Sequence, residues 1–419
     1  MNSIMRTVLL ITYDISPYRG SEASVSWNYV NNMQHSNKLI VLYGRGKEEI
    51  ENYLQTHDMP NVSFWNIKYT ETQGDGLFAD IKYNWKYRKW HYNVYLEVRQ
   101  IIQQQEHIDI IHYLNPIGFK EPGFVYNIKN IPYIWGPMKA VENKPFPLFS
   151  ALSIRGKINA LTRRIVHNAL FLFSLRVRKA IKRADVIFAT TPNTVKMLKQ
   201  WYNKESYYLP ENGIVKMECL APINFCQQEL RLIWIGAINE NKALIILLDA
   251  LLALKTSNWH LDICGTGPLE HKLKLYSKKI SSNITWHGQM PRSKVQELLK
   301  DAHLHVVSSL GEGNPTTIWE AMSFAVPTMS LDHCGMSGVI CDKCGIKIPI
   351  KSYNQVVSDM AANIDRIIDN PSIITELSKG VIECSKKFMW VNRIQLFNDT
   401  YDRLIQKYLD MRNNENINS

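Results

Sequence analysis

Leu304-His305-Val306-Val307-Ser308-Ser309-Leu310-Gly311-Glu312-Gly313-Asn314-Pro315-Thr316-Thr317-Ile318-Trp319-Glu320-Ala321-Met322 reads as a buried strand, a glycine-flanked loop and the start of a helix, with Pro327–Leu331 as the next strand. Strand, crossover helix and strand make a parallel pair. In the loop, Asn314 suits the N-cap, and Pro315 suits the first helical position, where its missing N–H costs nothing. Glu312 then hangs over the helix N-terminus. Glu320 falls about one turn into the helix, on the face of Thr316 and Thr317. Between the two carboxylates lie free backbone N–H groups and the positive end of a helix dipole, a natural seat for phosphate. Acceptors on both sides of a phosphate seat are what a nucleotide-sugar site requires, one for sugar hydroxyls and one for ribose. The plain alternative is a capped core helix with two solvated glutamates.

The same alternation runs outward through both halves of the 419-residue chain. Strand candidates in the first half are Val8–Tyr13, Leu39–Tyr43, Val62–Ile67, Ile108–Tyr113, Pro132–Trp135 and Val186–Thr190. The second half adds Leu232–Ile235, Leu261–Cys264, Ile284–His287, Leu304–Val307, Pro327–Leu331 and Ile346–Ile350. Helical patterns separate them, as at Lys242–Leu254, Lys294–Ala302 and Tyr353–Ile368. Repeated βα units predict an α/β fold with parallel sheets covered on both faces, and two series predict two doubly wound, Rossmann-like domains. The pattern breaks around Pro210–Gln228. The domains expected are 1–213, a linker at 214–228, and 229–390.

In such sheets ligands bind beyond the carboxyl ends of the strands, so the loops there carry the candidates. After the first strand, Gly20 permits a tight turn and Ser21 can cap the following helix. His112, near the end of the fourth strand, can contact a sugar hydroxyl or serve as a structural histidine. Trp234-Ile235-Gly236-Ala237-Ile238-Asn239-Glu240-Asn241-Lys242 is strand, loop and helix start, and it leaves Lys242 facing the phosphate seat as a compact charge against a diphosphate. Gly265-Thr266-Gly267-Pro268 has little side-chain bulk, and at His287-Gly288 the backbone can read the edge of a base. Neither GxGxxG nor Gly-Lys-Ser/Thr is present in the glycine loop, which argues against a dehydrogenase and an NTPase.

Composition narrows the class. Apolar residues make up 45% and charged residues 21%, as in an ordered globular chain. The N-terminal apolar run is too short for a signal peptide, and Ala169–Leu175 falls far below the roughly 20 residues that span a bilayer, so a cytoplasmic location is expected. The net charge is +11, with many bases in 155–183 interleaved with apolar residues. Such a segment can rest on an anionic membrane face or pack its stripe inward as a surface helix. No nucleic-acid-binding module is visible. Seven scattered cysteines argue against a disulfide framework. Cys341-Asp342-Lys343-Cys344, with Cys334 nearby, has metal-ligand spacing, but a fourth ligand at a familiar distance is missing, so reduced thiols and no metal are expected.

Lys242, Gly265-x-Gly-Pro, His287-Gly288 and the paired glutamates follow successive strands in a specific order. This order resembles the nucleotide-binding domain of the retaining glycosyltransferases of family four, which have the GT-B fold of two domains facing across a cleft. Glu312 and Glu320 match that family's E-x7-E motif, and Ala321-Met322 with Val326-Pro327 continues it. Gly20-Ser21-Glu22 looks like its N-terminal glycine loop, and His112, Glu121-Pro122 and Trp135-Gly136-Pro137 look like segments of a subgroup that builds bacterial surface polysaccharides. Three departures stand out: Ala237 replaces the usual arginine partner of the lysine, Met138-Lys139-Ala140-Val141 replaces a glycine run, and of a histidine pair only His112 is present, with Leu114 at the second position.

The resemblance implies transfer of a sugar, with retention, from a nucleotide diphosphate sugar to a hydroxyl of a glycan or lipid-linked acceptor. Lys242, Glu312 and His112 become the expected catalytic residues. Gly20, Ser21, Gly265, Gly267, Pro268, His287, Gly288, Asn314, Pro315, Thr316, Thr317 and Glu320 become the expected substrate contacts. A C-terminal helix, about 391–419, is implied to pack back on the first domain. No Asp-x-Asp pair sits where a metal-dependent transferase needs one, so neither metal nor cofactor is expected. The alternatives are a nucleotide-sugar 2-epimerase and an inactive nucleotide-sugar-binding scaffold.

Overall fold

Long apolar runs such as Val8–Ile11 and Leu39–Leu42 are fully buried, as strands covered on both faces must be. The computed structural model describes residues 5–68, 77–104, 107–226 and 229–417. Its strands are β1 (Arg6–Asp14), β2 (Asn37–Arg45), β3 (Val62–Asn66), β4 (Ile110–Asn115), β5 (Tyr133–Met138), β6 (Val186–Ala189), β7 (Tyr207–Tyr208), β8 (Leu230–Ile235), β9 (Trp259–Cys264), β10 (Ile284–Gly288), β11 (Leu304–Val307), β12 (Thr328–Leu331) and β13 (Gly345–Ile348). They form one sheet in the order β3-β2-β1-β4-β5-β6-β7 and another in the order β10-β9-β8-β11-β12-β13. Neighbours are parallel throughout. Both sheets are therefore doubly wound. β7, with two residues, is too short to leave a periodic signal and was not expected.

Two compact units result: 1–141, 168–211 and 391–419 form the first, and 142–167 with 212–390 form the second. The first core packs Trp90, Val94 and Val98 of the helix Leu77–Gln103 on Leu9, Ile11 and Leu42. The second packs the helix Leu244–Leu252, nearly all apolar, with Val356, Met360 and Ile364 of the helix Tyr353–Asp369. Ser352 and Gln355 start the latter with reciprocal side-chain-to-backbone bonds. Each such buried aliphatic side chain contributes about 1.5–3 kcal/mol relative to exposure.

Two expected boundaries need correction. Residues 142–167 were read as part of the first domain, but Leu148 and Leu152 are buried in the second core, and the Ser153 amide bonds Glu240. The described part of the expected linker, up to residue 226, is also packed: Ile214 bridges to Met389, Phe225 enters the second core, and the Ile223 amide donates to the Ser378 hydroxyl. Residues 227–228 of that linker lie outside the described residues.

Candidate active site

The second sheet reverses direction between β8 and β11, so the loops leaving their carboxyl ends flank a switch-point crevice. Side-chain and backbone bonds strap these two loops together. The Ser308 hydroxyl donates to the Lys242 carbonyl at 2.8 Å and accepts from the Trp234 indole N–H at 3.1 Å. The Leu310 amide donates to the Asn241 carbonyl at 2.8 Å, and the Asn241 side-chain amide donates to the Gly311 carbonyl at 3.0 Å. Asn239 Oδ1 accepts from the amides of Asn241 and Lys242, both at 3.0 Å, a turn its short side chain is suited to make.

Within this frame Lys242 lies over Gly236, where a Cβ would sit 3.3 Å from both Cδ and Cε of the lysine. Its Nζ meets Glu312 at 2.7 Å to Oε1 and 2.8 Å to Oε2. The two side chains are 20% and 16% exposed, so the pair is reachable yet shielded. The cation and carboxylate expected to converge do so.

The helix beside them runs Thr316–Ser323, one residue later than read. Pro315 occupies the cap position and Asn314 is not the cap. Pro315 has φ −56° and ψ 131°, so the proline itself stays out of the helix, and Asn314 is buried against Gly335, where a Cβ would lie 2.5 Å from Asn314 Oδ1. Thr316 is exposed at the helix start and Thr317 is buried. In the first turn the Ile318 amide donates to the Pro315 carbonyl. Glu320 sits about one turn in. Burial raises its carboxyl above the usual range, opposed by Arg292, whose Nε lies 2.9 Å away. Arg292, 74% exposed, opens the helix Arg292–Asp301 and was missed by sequence reading, since Pro291-Arg292-Ser293 carries no distinctive pattern.

The glycine loop has a packing role. Gly265 has φ +139°, and a Cβ there would meet the Gly236 carbonyl oxygen at 1.9 Å. A Cβ on Gly267 would meet the Ile238 carbonyl oxygen at 2.4 Å. The Ile238 amide donates to Thr266, and the amide of Leu269, just after Pro268, donates to Ile238. Backbone here lies against backbone of the loop that carries Lys242. The Gly288 carbonyl accepts from the Gly265 amide, and His287 Nε2 lies 2.7 Å from Asp262 Oδ1, so both are held by neighbouring strands.

Lys144 is a further residue that sequence reading missed. Its Cγ would lie 3.7 Å from a Cβ on Gly311, and burial lowers its amine, with Glu240 opposing. It comes from the segment 142–167, assigned in sequence to the other domain.

His112 is a correction. β4 continues to Asn115, which places the ring inside the sheet rather than at its end, and it is fully buried. Nε2 lies 2.6 Å from the Gly136 carbonyl and so carries the proton, leaving Nδ1 to accept from the Tyr401 hydroxyl at 2.7 Å. Both nitrogens are spent. The structure places His112 as a hydrogen-bonded core histidine.

In the first sheet the switch point lies between β1 and β4. The helix Ser21–Met33 there has Gly20 at the cap position, so Ser21 is helical rather than the cap, and its side chain lies outside the described residues. Glu22, in the first turn, is the perturbed group: burial raises its carboxyl, with Lys139 opposing. A perturbed carboxyl at a switch point is a candidate site residue that sequence reading did not single out.

Burial also pushes His112 down to about 4 and His91 and His305 to about 3, with Lys242 adding to the effect at His305. These rings stay neutral in the folded chain while the unfolded chain protonates them near 6.5. Stability is therefore full above pH 6.5 and falls as the pH drops below it. We expect the urea midpoint to decline already between pH 6.5 and 5, above the carboxylate range; a flat midpoint there contradicts the assignment.

A family model for the glycosyl transferases group 1 matches residues 221–388, which include Lys242, Glu312 and Glu320. Among curated relatives, the chain is 35% identical over 85 residues to a lipopolysaccharide 1,6-galactosyltransferase of Salmonella typhimurium, covering 19% of this chain and 24% of that one. It is 23% identical over 183 residues to the putative colanic acid biosynthesis glycosyltransferase WcaL of Escherichia coli, covering 41% and 45%. The chain thus spans less than half the length of these curated relatives. Among solved structures, the lipopolysaccharide outer core galactosyltransferase WaaB in its apo form superposes with a TM-score of 0.65 at 17% identity, covering 94% of this chain and 98% of that one. The chain therefore carries a glycosyl transferases group 1 domain, and its two parallel-sheet domains have the fold of the GT-B glycosyltransferases.

Proposed function

We propose that this chain is a retaining, metal-independent glycosyltransferase that moves a hexose from a nucleotide diphosphate sugar to a hydroxyl of a glycan or lipid-linked acceptor in bacterial surface-polysaccharide synthesis. The Lys242–Glu312 pair beside a helix N-terminus, at the switch point of the second sheet, carries this reading. The barrier to sugar transfer is dominated by charge leaving on the diphosphate. A donor diphosphate draws Lys242 away from Glu312, and the freed carboxylate takes sugar hydroxyls and orients the ring. Amides of the first helical turn take further phosphate charge. Glu320 exchanges Arg292 for ribose hydroxyls. The donor's own phosphate accepts the acceptor proton. Relatives named for lipopolysaccharide and colanic acid synthesis support the polysaccharide setting.

A thermal-shift panel of UDP-, GDP- and ADP-sugars tests donor binding, because a ligand that binds only the folded state raises the melting temperature. One donor class is expected to shift it. With that donor, nucleotide diphosphate release should depend on acceptor and survive EDTA, and the product should keep the donor's anomeric configuration. An epimer formed from donor alone would make the chain a 2-epimerase. Donor binding with no release under any acceptor would make it a scaffold.

We also propose that it works at an anionic membrane surface, through a shorter segment than 155–183. That stretch is two helices, Ile154–Phe173 and Leu175–Arg183, broken at Ser174. The second turns Val177, Ala180 and Ile181 inward and ties Arg176 to Glu121 and Arg183 to Asp185. The first leaves Ile154, Ile158, Leu161 and Ile165 exposed on one stripe, with Arg155, Lys157 and Arg163 exposed along it. No helix among the described residues is long and apolar enough to cross a membrane. Co-sedimentation with anionic vesicles is expected, weaker with neutral ones, and lost in the double variant Ile158→Asp/Ile165→Asp; equal binding by wild type and variant contradicts it.

A further inference from the structure

The turn Cys341–Cys344 leads into β13 and lies against the helix Ser372–Ser385. A Cβ on Gly380 would sit 1.7 Å from the Lys343 carbonyl oxygen, so only glycine lets the turn come this close to the helix. One turn further along, Cys384 reaches the two turn cysteines. Cys341 Sγ is 3.5 Å from Cys344 Sγ and 3.4 Å from Cys384 Sγ, and all three sulfurs lie within 4.8 Å of one another. All three are free thiols. The Cys341 amide donates to Cys344 Sγ at 3.3 Å. Cys344 and Cys384 are buried while Cys341 is partly exposed, so one side stays open.

We propose that Cys341, Cys344 and Cys384 form a zinc site of three thiolates with a fourth, solvent-facing position. Zinc–sulfur bonds of about 2.3 Å in a tetrahedron put sulfurs about 3.8 Å apart, close to the spacing already present. Thiolates select soft d10 cations such as zinc. The ion ties the turn before β13 to the helix Ser372–Ser385, so its role is structural. Sequence spacing had offered Cys334 as the third ligand. Cys334 shares the apolar cluster but is not among the three sulfurs that meet, and Cys384, the residue that completes the set, lies 43 residues from Cys341.

The full-length protein, purified under reducing conditions, is loaded with zinc and separately with cobalt(II), and bound metal is counted by mass spectrometry. One equivalent of zinc is expected, with thiolate-to-cobalt charge-transfer bands and the intense visible bands of a four-coordinate cobalt site. Cys341→Ser and Cys384→Ser are expected to lose the metal and the cobalt spectrum, while Cys334→Ser keeps both. Because Cys384 is buried, Cys341→Ser, at the partly exposed position, is the variant read if Cys384→Ser does not fold. Chelation of the wild type should lower its melting temperature, and zinc should restore it. Wild-type protein that retains no equivalent of either ion overturns the proposal, as does metal retained equally by Cys341→Ser. So does recovery of a Cys341–Cys344 disulfide in place of metal. Donor binding is measured on the same samples, so loss of the metal site is distinguishable from failure of the transferase reading.

Discussion

Lys242→Met is expected to lower kcat/KM by roughly 10²–10³, the scale seen when one preorganised donor is removed from developing charge. The lysine is expected to matter most as the diphosphate leaves, so the larger share should appear in kcat. Glu312→Gln keeps the shape of the carboxylate and loses its charge; we expect a loss of about 10², arising from a misplaced sugar ring. The two side chains meet at 2.7 and 2.8 Å, so their effects cannot be independent. Lys242→Met leaves Glu312 without its cation, facing the diphosphate with an uncompensated charge. The double variant should therefore be no worse than Lys242→Met alone, and a double-mutant cycle should report coupling rather than additivity. Unchanged turnover in either single variant removes that residue from the site. Multiplicative losses would mean that the contact between lysine and glutamate does not couple their roles in transfer.

Much of this arrangement was legible because parallel sheets obey strong rules. Runs such as Leu39–Leu42 and Leu304–Val307 are short, apolar and bounded by turns, as buried strands are. Once βαβ order is read, ligands are sought in the loops after the carboxyl ends of the strands, and Lys242 and Glu312 lie on two of those loops. What escaped depends on partners far away in the chain. His112 looked like a strand-end residue because Asn115 was not counted in the strand, and its partner Tyr401 is 289 residues distant. Lys144 and Leu148 sit in a segment that leaves one series of βα units and packs with the other, which no local pattern records. Arg292 has no periodic context, and its ion pair with Glu320 depends on how the helix starts after β10 and β11 are placed. Glycines were detected easily, but their reason was not: the same letter serves a ligand and a neighbouring backbone.

Gly265→Ala separates those two reasons. At φ +139° an L-residue is strained wherever it is placed, and here the added methyl would lie 1.9 Å from the Gly236 carbonyl oxygen. A peptide oxygen in a strapped loop cannot swing aside as a flexible side chain does, so the Gly236–Ile238 segment must shift. Backbone strain and overpacking together predict a loss on the order of 3 kcal/mol. In urea, the second domain's transition should move to a lower midpoint with little change in slope. Gly20→Ala is the control. Gly20 has φ −82°, and no atom lies within 4 Å of an added Cβ, so the stability change should be small, within about 1 kcal/mol. Donor affinity decides the reading. If Gly265 serves packing, affinity in Gly265→Ala falls because Lys242 moves with its loop, and the stability loss accompanies it. Should the variant keep its urea midpoint and still fail to bind donor, Gly265 faces the ligand directly, and the backbone contact with Gly236 is not what requires a glycine there.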